Sequence, residues 1–120
     1  MPKLFAQYAL SKRKPEELRE LLKRAYLNHP ILDDPVDLTG RARLFLGVGH
    51  EVRLKILGLL ELEELCFCNI IEALELPASN VAHHLSVLED AGLVVRRENG
   101  KFTSFTLRKD LIAKHRILQK

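Results

Sequence analysis

The chain has 120 residues, 47% of them hydrophobic, with 19 Lys and Arg against 16 Asp and Glu for a formal charge of +3. That size suits one domain with one hydrophobic core, and the dense, sign-mixed charge excludes a disordered chain. No apolar run is long enough to cross a bilayer, and Gln7, Ser11 and Lys12-Arg13-Lys14 break up any signal-peptide core, so a cytoplasmic protein is expected.

A charge of +3 permits nucleic-acid binding without demanding it, so its distribution matters more than its total. Acidic residues gather at Glu61, Glu63 and Glu64, and basic ones at Lys12–Lys14, Arg96–Lys101 and Arg108–Lys109. Cys66 and Cys68 stand too close in sequence to bridge each other easily. In a reducing compartment they are either free core thiols or ligands.

In chain order, residues 3–10 form a short helix carrying Leu4, Phe5 and Tyr8. Pro15 suits a first helical position, and Leu18, Leu21, Leu22, Ala25 and Tyr26 make one apolar stripe on a helix over 15–28. Two prolines and three aspartates make 29–38 a connecting loop, and Thr39 is the expected cap of a helix over 40–47. Further helices are expected over 50–62, with Val52, Ile56, Leu59 and Leu60 on one side, and over 66–75, with Phe67, Ile70, Ile71 and Leu74. A short turn at Leu76-Pro77 leads to a helix over 78–91, which Gly92 ends.

The period then changes. Leu93–Glu98 and Lys101–Leu107 flank Asn99-Gly100, the strongest short hairpin signal. With those two residues as the loop, Glu98 pairs with Lys101 and Val94 with Phe105. Val94, Phe105 and Leu107 then share a buried face near the base, and Arg96, Glu98, Lys101 and Thr103 continue it toward the tip. A last helix over 108–118 carries Leu111, Ile112, His115 and Leu118.

The expected fold is therefore mainly α with a small β-hairpin, a winged helix-turn-helix over 66–107. It divides into an N-terminal extension, 1–38, with a dimerisation helix and loop, and a domain, 39–120, that includes the C-terminal helix. On the helix over 78–91, Val81, Leu85 and Leu88 point one way and Ser79, His83 and Ser86 the other, with Asn80 on a flank. Small polar groups on an outward face suit a major groove, where they reach base edges. Arg96, Arg97 and Lys101 at the hairpin tip suit phosphate contact or minor-groove entry. Winged helices also serve as protein-interaction modules, and a polar outer face is what any surface helix shows. No nucleophile–base pair, phosphate loop or closed metal motif is present, so no enzyme is expected and no cofactor is required.

Arg53-Leu54-Lys55-Ile56-Leu57, Glu64-Leu65-Cys66-Phe67-Cys68, Val81-Ala82-His83-His84-Leu85-Ser86-Val87-Leu88 and Ala91-Gly92-Leu93-Val94 follow one another at characteristic spacing. Together they resemble the ArsR/SmtB family of metal-responsive repressors over about 40–110. The resemblance implies a homodimer that binds a palindromic duplex operator and leaves it when an inducer binds. It also implies that the first and last helices make the dimer. The stripes at Leu18–Tyr26 and Leu111–Leu118 fit that role, and fit intramolecular core equally.

The chain departs from the family at two places. Pro77 and Ala78 stand where members often carry Ser and Gln, which moves base readout onto Ser79, Asn80 and His83. His84, on the flank of the buried side, is expected to be structural or to touch phosphate. Cys66-Phe67-Cys68 matches the family's Cys-Val-Cys element, and soft thiolates favour As(III), Cd, Pb or Zn as inducer. The third arsenite thiolate of the family falls here on Ile71. The zinc pattern of the last helix fails at Asp110-Leu111-Ile112, leaving His115 alone. A third donor would have to be an exogenous thiol or a histidine such as His50. The alternatives are control by redox or another signal, or cysteines that serve only as core.

Overall fold

The computed structural model describes residues 12–120, so the helix expected over 3–10 lies outside the described residues. The chain divides between Leu38 and Thr39 into two units.

In the first unit, α1 runs Pro15–Asn28, with Pro15 in its first turn and Glu16 and Glu17 facing the positive end of the helix dipole. No residue of α1 is buried, and Leu18, Leu21 and Leu22 are exposed. A single 3-10 turn, Pro30–Asp33, follows. Then α2 runs Pro35–Val48 across the division. The sequence predicts loop up to residue 38 and a cap at Thr39; instead the helix starts at Pro35. Asp34 supplies the cap, its Oδ1 accepting from the amides of Val36 and Asp37, both at 3.1 Å. An Asp before a Pro at the first helical position satisfies two orphan amides, and Thr39 lies inside the helix.

In the second unit, α3 spans Glu51–Leu62, β1 Leu65–Cys66, α4 Phe67–Leu74, α5 Ala78–Asp90, β2 Val94–Asn99, β3 Phe102–Leu107 and α6 Lys109–Lys114. The sheet is antiparallel in the order β1-β3-β2. Ile56, Leu57 and Leu60 of α3 meet Ile70 of α4, Val81, Leu85 and Leu88 of α5, and Leu93, Val94 and Phe105 of the hairpin. This core fixes α4, the turn and α5 as a helix-turn-helix, with β2 and β3 as its wing. Glu75 turns the chain between the helices in the left-handed region, at φ 54°. Gly92 does so after α5, at φ 78°.

Two expectations are corrected. Asn99-Gly100 is not the hairpin loop. Asn99 pairs with Phe102, Arg96 with Phe105 and Val94 with Leu107, so the loop is Gly100-Lys101. Gly100 has φ 60° and neither Asn99 nor Lys101 has a positive φ, the pattern of a turn with glycine at its first central position. The register moves by two residues, which keeps every side chain on its expected face. The exception is Lys101, which leaves the strand for the loop. Second, Leu65 and Cys66 form a strand on the open edge of β3, pairing with Phe105 and Ser104, where a helix starting at Cys66 was expected. The last helix ends at Lys114, short of residue 118, and only Ile112 of it is buried.

Candidate nucleic-acid interface

The core sets the outward face of α5. With Val81, Leu85 and Leu88 fully buried, Ser79, Asn80, His83 and Ser86 are exposed, as are Ala78 and Ala82 between them. His84 is buried, and its surroundings were not legible in the sequence. The Arg53 guanidinium, itself buried, gives its Nη1 to His84 Nδ1 at 3.0 Å, its Nε to the Gly47 carbonyl at 2.7 Å and its Nη2 to the Leu46 carbonyl at 3.2 Å. Arg53 thus satisfies two carbonyls at the end of α2 and holds the middle of α5. Arginine can only donate, so His84 accepts at Nδ1 and carries its hydrogen on Nε2. Burial pushes the His84 imidazole below its ordinary value near 6.5, and His50, Arg53 and His83 add to the effect.

His50 lies beside His84, with ring centroids 4.4 Å apart. It caps α3 by accepting the Val52 amide at Nδ1, 3.1 Å away. Its place is therefore beside the middle of α5, in a structural cluster with His84.

The three wing cations differ. Arg96 grips Glu89 of α5 with two bonds, 2.9 and 3.3 Å, and its guanidinium lies 5.3 Å from the centre of the Phe105 ring. It ties the wing to α5. Arg97 reaches Glu64 at 3.4 Å, and the same carboxylate oxygen accepts the Ser104 hydroxyl at 2.9 Å. Lys101, exposed in the loop, has no ion-pair partner among the described residues. Phe102 follows it with 61% of its surface exposed, an apolar residue at the tip that the sequence reading passed over.

Cys66 and Cys68 flank the junction of β1 and α4, with their sulfurs 2.7 Å apart. The hydrogen bond from Cys68 lowers the Cys66 thiol below its ordinary range and raises that of Cys68 in turn. Among the described residues no three Cys, His, Asp or Glu side chains stand together as a metal site. The pair therefore completes neither the three-thiolate arsenite site of the resemblance nor a four-ligand zinc site. Cys66 pairs with Ser104 across the sheet, which sets the thiols against the wing.

Comparison with known proteins agrees with this architecture. The model of the bacterial regulatory proteins of the arsR family matches residues 50–95, which cover α3 through the start of β2. An uncharacterized HTH-type transcriptional regulator of Methanocaldococcus jannaschii is 36% identical over 72 residues, 59% of this chain and 81% of that one. The arsenical resistance operon repressor of Escherichia coli is 38% identical over 66 residues, 54% of this chain and 56% of that one, so the chain spans little more than half of its length. Among solved structures, the homodimeric winged helix-turn-helix DNA-binding domain of a Mycobacterium bovis protein superposes with a TM-score of 0.61 at 26% identity, covering 65% of this chain and 72% of that one.

Proposed function

The chain belongs to the ArsR family of bacterial regulatory proteins, and from that premise we propose that it is a cytoplasmic, homodimeric repressor that binds a palindromic DNA operator. It acts by binding and not by catalysis. The observation that carries this reading is the exposed polar face of Ser79, Asn80, His83 and Ser86, held out by a buried apolar face and flanked by a basic wing. In the major groove, Asn80 and His83 read base edges and Ser79 and Ser86 support them, while Ala78 offers only a methyl. Lys101 and Arg97 contact phosphates, and Arg97 exchanges Glu64 for the backbone as it does so. Arg96 adds charge at the groove and acts chiefly by fixing the wing to α5. A dimer places two α5 helices about one turn of DNA apart.

Control runs through Cys66 and Cys68, whose thiolates favour a soft ligand of the As(III), Cd, Pb or Zn kind. For the inorganic ions the remaining donors have to come from outside the described residues.

The test starts with selection from a pool of random duplexes, followed by titration of the enriched duplex and a scrambled one. The expected result is a palindromic consensus and affinity that falls steeply with salt. Asn80→Ala and His83→Ala relax the consensus, while Lys101→Ala weakens both duplexes alike. No enrichment and no duplex affinity at low salt, with a stable protein complex instead, would overturn this reading in favour of a protein-interaction module.

A further inference from the structure

Three imidazoles stand in a row beside the outward face of α5. The His83 ring, exposed on that face, lies 5.4 Å from the His84 ring, which lies 4.4 Å from the exposed His50 ring. In two of them the protein engages Nδ1: that of His50 accepts the Val52 amide, and that of His84 accepts from the buried Arg53 guanidinium. Both rings therefore carry their hydrogen on Nε2, on the side turned away from those partners. Among the described residues every buried side-chain nitrogen and oxygen has a partner, and none bonds His84 Nε2, so that N–H reaches the surface. The charged groups that act on His84 are His50, Arg53 and His83, with no carboxylate among them. Glu51, next to His50 in sequence, is exposed, and neither ring makes an ion pair with a carboxylate among the described residues. A metal does not account for the row, since both Nδ1 atoms are engaged and no three ligating side chains among the described residues form a metal site. Two adjacent donors, one backed by a cation and neither paired with a carboxylate, suit an anion.

We propose that His50 and His84 together hold one phosphate of the DNA backbone through their Nε2–H groups, at the rim of the groove whose base edges His83 reads. The inference rests on the DNA-binding reading above and adds a contact that the basic wing does not supply. The row leads away from the outward face of α5, and phosphates border the groove into which that face fits. Both donors are fixed before DNA arrives. The start of α3 fixes His50, and Arg53, itself held by the Leu46 and Gly47 carbonyls, fixes His84. The hydrogen bond from the guanidinium polarises the His84 ring and strengthens its Nε2–H as a donor toward an anion. With Nδ1 accepting, both imidazoles are uncharged, so the contact adds affinity without adding to the counterions released. It locates α5 along the backbone and carries no sequence information of its own.

The experiment titrates the full chain with the enriched duplex carrying one methylphosphonate in place of each backbone phosphate in turn, and repeats the series with His50→Asn and His84→Asn. Asparagine at 50 still caps α3 and at 84 still accepts from Arg53, but its side chain is too short to replace Nε2. Each variant is expected to lose about tenfold in affinity for the enriched and the scrambled duplex alike, the scale of a hydrogen bond to a charged group. The salt slope stays within about half a unit of the wild type, whereas Lys101→Ala lowers it by about one. In the wild type one methylphosphonate position per half-site costs about tenfold, and in either variant the same position costs less than about twofold. The Nε2–H signals of His50 and His84 move when duplex is added and stay in place with inorganic phosphate at the same phosphate concentration. Movement with inorganic phosphate and a flat methylphosphonate series would assign the site to a free anion and overturn the inference. A loss confined to the enriched duplex overturns it too, by making these residues base readers. Unchanged affinity in both variants sinks this inference while the DNA-binding reading stands, and a wild type that binds no duplex sinks both.

Discussion

His84 lies at the junction of stability and recognition, since its neighbour His83 faces outward on the same helix. Its folded value lies below the ordinary 6.5, so the unfolded chain binds more protons in the interval between the two. Its contribution to stability is fully present above pH about 6.5 and is lost as pH falls from there through the folded value. Urea melts between pH 7.5 and 5 check this. His84→Asn, whose side-chain oxygen still accepts from Arg53, is expected to flatten the fall in stability. Arg53→Lys keeps the charge but not the three-way fork, and should cost about 1–3 kcal/mol in the same melts by leaving buried acceptors unpaired. Nothing in the letters around Arg53 shows that it is buried; the pattern marks an ordinary surface cation on an amphipathic helix. Its role depends on two carbonyls and a histidine, at positions 46, 47 and 84, meeting in one place. Glu75 is the opposite case, a local strain. At φ 54° it occupies a position glycine takes without steric cost, so Glu75→Gly should stabilise the turn by about 0.5–1 kcal/mol, read as a rise in melting midpoint.

Between elements, α2 approaches the end of α5 closely at Gly47. A Cβ on Gly47 would lie 2.6 Å from the Ala91 Cβ, and neither atom can rotate away. Gly47→Ala should therefore destabilise by about 1–3 kcal/mol, as overpacking does, and adding Ala91→Gly should recover much of that loss in thermal melts. In the wing, Arg96 and Lys101 separate by role. A double-mutant cycle on Arg96 and Glu89 should show coupling of up to about 1 kcal/mol in stability, since the pair is partly exposed. Lys101→Ala should leave stability unchanged and reduce the salt dependence of duplex binding by about one phosphate contact. Most elements were legible because periodicity reports on burial directly: α4 and α5 bury their stripes, while α1 is helical as its stripe predicts and leaves that stripe exposed. The errors fall where two local signals compete. Asn-Gly and Gly-Lys both make two-residue loops, and the strands choose between them by seating Arg96 over Phe105. A two-residue strand such as β1 has no period to read.

For the molecule as a whole, the exposed stripe of Leu18, Leu21 and Leu22 on α1 is surface that a monomer leaves wet. A second copy of the chain is the partner that the proposed function implies. Leu18→Glu/Leu22→Glu is expected to leave the 39–120 domain folded by circular dichroism, to shift sedimentation toward monomer, and to lower operator affinity at least tenfold. Unchanged dimerisation would move the interface elsewhere. The sequence by itself determined the order of helices and wing, the buried and outward faces of α5 and the presence of a thiol pair. All of these follow from spacing along one element, where neighbours in sequence remain neighbours in space. Only the tertiary structure decided which wing cation is tied down, that Arg53 and His84 hold each other, and that Cys66 and Cys68 open onto Phe102. Those facts depend on contacts between elements, from Arg96 with Glu89 seven positions away to Ser104 with Glu64 forty away, and no local pattern encodes such a meeting.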